Sequence, residues 1–121
     1  MRSKWIEYKG KKIFYQDFSK HFFNYQAVKE ELVEVQAIVV KQPLDSLLVL
    51  TNFTDTAIAG DLMPVLNASS TLTKDHVHKA AVIGVTGIKK HLADMLTRLT
   101  GQPLKYFDTE IEAKEWLAQE N

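Results

Sequence analysis

Ala80-Ala81-Val82-Ile83-Gly84-Val85-Thr86-Gly87-Ile88-Lys89-Lys90-His91-Leu92 decides the fold, because an apolar run breaks at two glycines and restarts as an amphipathic repeat. From Ala80 to Val85 the chain is apolar apart from glycine, which suits a strand covered on both faces and is too short for a helix. That strand belongs in the middle of a sheet. Gly84 and Gly87 fall where the backbone must turn or approach a neighbour closely. Beyond them Ile88, Leu92, Met95, Leu96 and Leu99 recur at helical spacing. Thr86 is placed to cap the first free amides of that helix, and Gly101 with Pro103 stops it. The stretch predicts strand, turn and helix.

Working outward, 121 residues make one domain spanning 1–121, long enough to bury a single core. A composition 45% hydrophobic and 25% charged fits an ordinary globular protein and argues against disorder. The apolar runs are far too short to cross a bilayer, so no integral membrane association is expected. Fifteen basic residues balance fifteen acidic ones, which removes the bulk attraction that nucleic-acid binding would use. The charge is uneven all the same. Arg2, Lys4, Lys9, Lys11, Lys12 and Lys20 crowd the start, while Asp108, Glu110, Glu112, Glu115 and Glu120 crowd the end. A basic edge and an acidic helix follow. With no cysteine there is no disulfide scaffold, thiol nucleophile or thiolate metal site. Met1-Arg2-Ser3-Lys4 runs into Trp5-Ile6-Glu7 without an apolar signal core, so the cytoplasm is the expected location.

Along the chain, Trp5–Tyr8 and Ile13–Phe18 read as a hairpin around Lys9-Gly10-Lys11-Lys12. Tyr25 to Gln42 is a predicted helix, with Val28, Leu32, Val35 and Val39 on one face, although its tail Ala37–Val40 is β-branched enough to suit a strand. Pro43 ends either one. Ser46–Asn52 is a second buried strand, and Asn52–Thr56 a polar turn. Ala57–Leu66 resumes helical spacing, with Pro64 near a bend and the tract Asn67–Thr71 expected to close or interrupt the helix. Val77–Val85, Leu104–Phe107 and a terminal helix over Thr109–Gln119 complete the set, the last with Ile111, Trp116 and Leu117 inward and Asp108 or Thr109 as cap. The expected fold is α/β: a mixed sheet of about five strands, opened by an antiparallel hairpin and packed by about four helices.

Three stretches together carry a resemblance: Ser46–Asn52, Ala80–Lys90, and Phe107–Leu117 with its Phe-Asp-Thr and Ala-x-x-Trp-Leu elements. They resemble a largely uncharacterised family of small bacterial STAS-like proteins, the class that includes anti-sigma-factor antagonists and is also likened to CRAL-TRIO lipid-binding domains. The resemblance implies a STAS-like single domain. In regulatory STAS domains an Asp-Ser-Ser-Gly type motif follows a core strand, and its serine is phosphorylated by a partner kinase. Thr54, Asp55 and Thr56 occupy the matching place here, with Asp55-Thr56 aligned to Asp-Ser and Ala57-Ile58 departing from Ser-Gly. The loop is thus a candidate phosphoswitch or partner contact, with Asp55 and Thr56 expected in solvent beside a helix start. Helix capping is the simpler reading of the same residue types.

Other candidates rest on residue chemistry alone. Gly84, Thr86 and Gly87 before Lys89 and Lys90 could hold an anion on free amides at a helix start, although the pattern is neither a P-loop nor a dinucleotide fingerprint. His76 and His78 would share a strand face, where His21 or His91 could join them on a metal, but ordinary strand-edge histidines are the simpler account, and neither metal nor cofactor is expected. No serine shows a nucleophile elbow and no histidine a paired aspartate pattern, so no catalytic residue is assigned. The dense aromatic set Trp5, Tyr8, Phe14, Tyr15, Phe18, Phe22, Phe23 and Tyr25 reads mainly as core and edge packing, and secondarily as a pocket lining or a homo-oligomer contact. The leading expectation is a non-enzymatic regulatory domain that binds a protein partner or a small apolar or anionic ligand. The alternative is a lipid or fatty-acyl carrier with an internal apolar pocket.

Overall fold

In the computed structural model, which describes residues 1–58, 61–85 and 104–119, Lys9 and Gly10 take φ of 49° and 79°. Two successive positive φ angles are what a tight two-residue hairpin turn needs. The turn is therefore shorter than the four-residue tip expected, and β1 (Lys4–Tyr8) and β2 (Lys11–Asp17) pair antiparallel from Tyr8↔Lys11 to Lys4↔Tyr15.

Asn24 caps helix α1 (Tyr25–Val39), its side chain accepting from the Ala27 amide, and Val28, Leu32, Val35 and Val39 are buried as the periodicity requires. The β-branched tail stays helical, with the Val40 amide still bonded to the Gln36 carbonyl at 3.1 Å. Strand β3 (Leu47–Asn52) follows and runs parallel to β2.

Helix α2 (Leu62–Thr73) departs from expectation at both ends. Pro64 lies in its first turn, where a missing N–H removes no helical bond, so the proline opens the helix rather than bending it. The polar tract Asn67–Thr71 lies within the helix. Its Thr71 and its neighbour Thr73 donate to the carbonyls four residues back, Asn67 and Ser69, which lets hydroxyls sit in a helix interior. A single 3-10 turn, Lys74–His76, leads into β4 (Val77–Ile83). Strand β5 (Leu104–Phe107) and helix α3 (Glu110–Ala118) complete the described chain. Among the described residues there are three α-helices, where about four were expected over the whole chain. The helix expected over Ile88–Leu99 lies outside the described residues.

The five strands form one sheet in the order β1-β2-β3-β4-β5, with every pair after the hairpin parallel. Its two faces carry two cores. Phe14, Val49, Ala80 and Val82 pack under α1 and α2, whereas Ile13, Leu50, Ala81 and Ile83 pack under α3. The uniformly apolar reading of β4 thus has its cause, since alternate residues enter different cores.

Helix α3 is fixed at both ends. The Thr109 hydroxyl accepts from the Glu112 amide, and Glu110 and Glu112 face the positive end of the helix. At the other end the buried Lys79 ammonium donates to the Trp116 and Gln119 carbonyls at 3.1 and 2.8 Å. Ala113 and Leu117 are its buried residues, so the expected inward set is corrected: Leu117 is inward, but Ile111 is exposed and Trp116 half-buried, its ring tilted against Phe107. Glu115 ties the helix to the hairpin, accepting from the Tyr8 hydroxyl and pairing with Lys9 at 2.7 Å. The hydrogen bonds from Lys9 and Tyr8 hold the Glu115 carboxyl below its ordinary range. The basic edge and acidic helix read from the sequence meet here.

Val82 is 5% exposed on a strand flanked on both sides, and Val49 on neighbouring β3 belongs to the same cluster. Val82→Asp is expected to abolish the cooperative thermal transition, since an unpaired buried charge costs several kcal/mol against a total of about 5–15. A circular dichroism melt matching the parent would contradict the assignment.

Candidate functional site

Parallel pairing of β2 and β3 continues past both strands as a ladder between two loops. The amides of Phe18, Lys20 and Phe22 donate to the carbonyls of Asn52, Thr54 and Asp55 at 3.0, 2.8 and 2.8 Å, and the Ala57 amide returns to the Phe22 carbonyl at 2.8 Å. Lys20, Phe22 and Asp55 are held at φ of 60°, 52° and 58°, a region that side chains with a Cβ rarely adopt. Such angles persist only where surrounding bonds over-determine them. Below the rim Phe18 and Phe53 stack at 5.2 Å and anchor it to the core.

On top of this braced rim sit Phe22 and Phe23, 61% and 78% exposed, beside exposed Thr54 and Asp55. Thr56 corrects the expectation of a solvent-facing pair. It is 1% exposed, its hydroxyl donates to the Phe18 carbonyl, and it accepts from the His21 amide at 3.0 Å. A hydroxyl so placed is a cross-link between the loops and not an accessible phosphoacceptor. Thr54, whose amide donates to the Asn52 side chain at 2.9 Å, is the exposed hydroxyl of the loop.

Gly84 brings the second sequence candidate to the same place. Its φ is 80°, and a Cβ built on it would lie 2.3 Å from the Thr54 nitrogen and 2.6 Å from the Thr54 Cα. Only glycine allows the chain leaving β4 to pass against the loop leaving β3. Thr86, Gly87, Lys89, Lys90 and His91 lie outside the described residues.

A polar cluster flanks the rim. Arg2 donates to the Ser19 carbonyl at 2.6 Å, contacts Nε2 of His21 at 2.9 Å and pairs with Asp17 at 3.4 Å. The amides of Arg2 and Ser3 donate to the Glu31 carboxylate, the Ser3 bond at 2.7 Å. Burial pushes the Glu31 carboxyl up, but the Ser3 hydroxyl and these two amides outweigh it and leave the group below its ordinary value. Among the described residues the histidines do not gather. His76, in the 3-10 turn, bonds the Gln42 carbonyl at 2.7 Å, and His78 meets Asp45 at 2.9 Å. Among the described residues no three His, Cys, Asp or Glu side chains form a metal-binding group.

Between the sheet and α1 and α2 lies a cavity of about 100 Å³, apolar except where Thr51, Gln16, Ser69, Ser70 and Thr73 line it. Sequence reasoning singled out the Thr54–Thr56 loop but not the Lys20–Asn24 loop facing it, and read Phe22 and Phe23 only secondarily, within the aromatic set, as a pocket lining or self-association contact. The signal was there, because that pair falls between a strand and the cap Asn24 and fits the period of neither.

A family model described as SpoIIAA-like matches residues 15–118, nearly the whole chain. The chain belongs to the SpoIIAA-like family. No curated protein matches it. Among solved structures, an uncharacterised protein of the DUF3478 family from Shewanella loihica PV-4, itself described as having a SpoIIAA-like fold, superposes with a TM-score of 0.61. That likeness covers 96% of this chain and 92% of the other at 14% identity, so it speaks for the fold alone. For the SpoIIAA-like chain the strand β2, where the family match begins, is also where the parallel sheet begins.

Gly84→Ala in this SpoIIAA-like domain is expected to lower stability by about 1–3 kcal/mol, through the backbone angle and the clash with Thr54. Denaturant unfolding would measure it, and an unchanged midpoint would contradict the close approach. Glu31 gives a pH dependence. Its folded pKa is depressed, so its contribution is complete above the ordinary carboxyl value of 4.5 and is lost as pH falls through the folded one. Glu31→Gln should therefore be less stable than the parent at pH 7, by about 1–3 kcal/mol, with the gap closing under acid conditions. A gap that does not change with pH would argue against this assignment.

Proposed function

We propose that this chain is a cytoplasmic, non-enzymatic regulatory domain that binds a protein partner through the rim of Lys20–Asn24 and Thr54–Thr56. The observation carrying the reading is an exposed aromatic pair on a rim whose two loops are joined by four backbone hydrogen bonds and carry three left-handed residues between them. A loop free to relax would fold such rings away from water. Large aromatic side chains presented with little conformational freedom are the usual anchors of protein interfaces. Thr54 and Asp55 add polar groups beside them, as a partner contact in the place where the family resemblance puts its regulatory loop. The fatty-acyl carrier alternative draws less support. Its cavity holds about 100 Å³, against the roughly 300–1,000 Å³ usual for small-molecule sites.

Native mass spectrometry of the protein purified from its own host tests this reading. A co-purifying protein, or a second copy of the chain, is expected, and Phe22→Ser/Phe23→Ser should weaken that complex at least tenfold while shifting the melting temperature by no more than a few degrees. An undiminished complex in the double variant would overturn the assignment of the rim, and a co-purifying lipid mass would favour the carrier.

A further inference from the structure

Helix α1 carries a second apolar face. Val28, Leu32, Val35 and Val39 complete its buried side, yet Val33, Ala37 and Val40 recur at helical spacing on the opposite side and are exposed. Val33 is 65% exposed and Val40 38%. A helix that covers one core needs one apolar stripe and places polar residues on the rest. The chain keeps its helical course past this stripe, since the amides of Lys41 and Gln42 bond the Ile38 and Val39 carbonyls at 3.2 and 3.0 Å. Just beyond it Leu44 is 69% exposed, and so is Leu72 of α2 at 56%. Their segments are joined, the Asp45 amide donating to the Asp75 carbonyl at 2.8 Å and the His76 ring bonding the Gln42 carbonyl at 2.7 Å.

Charge along this face is graded, and the gradient points to an occupant. Glu30 and Glu34 lie toward the start of the stripe and Lys41 at its end, all three exposed. The contact of Glu34 with the Met1 ammonium is loose at 3.6 Å and leaves the carboxylate side chain 54% exposed. Lys41 has no carboxylate partner among the described residues. Glu34 and Lys41 are two turns apart, so they share one flank of the stripe. When two copies of a helix pack face to face and antiparallel, each flank meets itself with its ends exchanged. Glu34 of each copy then comes against Lys41 of the other and Val33 against Val40, with Ala37 at the two-fold axis, where a short side chain lets the helices approach. A two-fold contact must be complementary to itself, and this face is.

We propose that α1 pairs antiparallel through this face with α1 of a second copy, forming a weak homodimer. Three turns of one helix hide less than the roughly 800 Å² per partner of a stable interface, so the complex dissociates readily. The apolar side chains supply the attraction; the ion pairs, worth little in solvent, set the direction. The proposal is independent of the partner-binding reading, because the stripe occupies the second half of α1 whereas the rim precedes its first residue.

Sedimentation equilibrium from micromolar to millimolar protein is the test, and a monomer–dimer equilibrium is expected. Val33→Ser/Val40→Ser should weaken it at least tenfold, while Ile111→Ser, an exposed apolar residue on the other layer, should leave it unchanged. Glu34→Lys and Lys41→Glu should each weaken it at least threefold, and the variant carrying both should recover the parent affinity, as an antiparallel contact requires. A monomer throughout, a dimer indifferent to the valine changes, or no recovery in the charge exchange would each overturn the proposal. So would a dimer lost in Phe22→Ser/Phe23→Ser but kept in the valine variant, or a monomer that uses these valines to bind phosphatidylcholine vesicles. Should the valine variant lose its native circular dichroism, the charge exchange, confined to exposed side chains, decides alone.

Discussion

Strands β2, β3 and β4 each pair in parallel with the strand that follows them, and most of the molecule is a consequence. A parallel neighbour can be reached only after the chain has travelled back the length of the sheet, and α1 and α2 are the segments that make two of those returns. Sheet order follows chain order, and crossovers of this kind share one hand, so both helices cover the same face. The second face, left bare, is covered by α3. The same rule separates the two ends. Loops leaving β2, β3 and β4 collect at one rim, and the beginnings of those strands collect at the other.

The fold was legible because it is written in periods. Four valine and leucine positions of α1 and the unbroken run of β4 state which faces are covered, and the core honours both. Helix α2 was misread for a local reason. Proline and a serine-threonine tract are signs of an ending only when the chain can solvate their groups elsewhere; here proline falls in the first turn and two threonine hydroxyls bond within the helix. In α3 the periodicity pointed to Ile111 and Trp116, but a small residue, Ala113, takes the place nearest the sheet, and hydrophobic patterns overlook alanine.

The rim was half legible. Asn52–Thr56 and Gly84 were recognisable as special backbone, but nothing in one sequence says that two turns thirty residues apart touch through a missing Cβ. Nor could residue type separate Thr54 from Thr56. The distinction between an exposed hydroxyl and a buried one is made by the loop across from them, whose His21 amide and Phe18 carbonyl enclose Thr56. Strain and exposure then coincide on one short segment, a combination that local sequence preferences would not select for stability alone.

The bond between Tyr8 and Glu115 joins residues 107 apart along the chain, so the hairpin and α3 meet only after everything between them has been made. Until α3 has been made, Ile13, Leu50, Ala81 and Ile83 face water on a sheet whose other side can already be packed. The partly made protein therefore carries a bare apolar face until α3 both covers it and fastens the hairpin turn. An intermediate lacking this short helix would expose that face, the kind of surface through which incompletely folded chains aggregate.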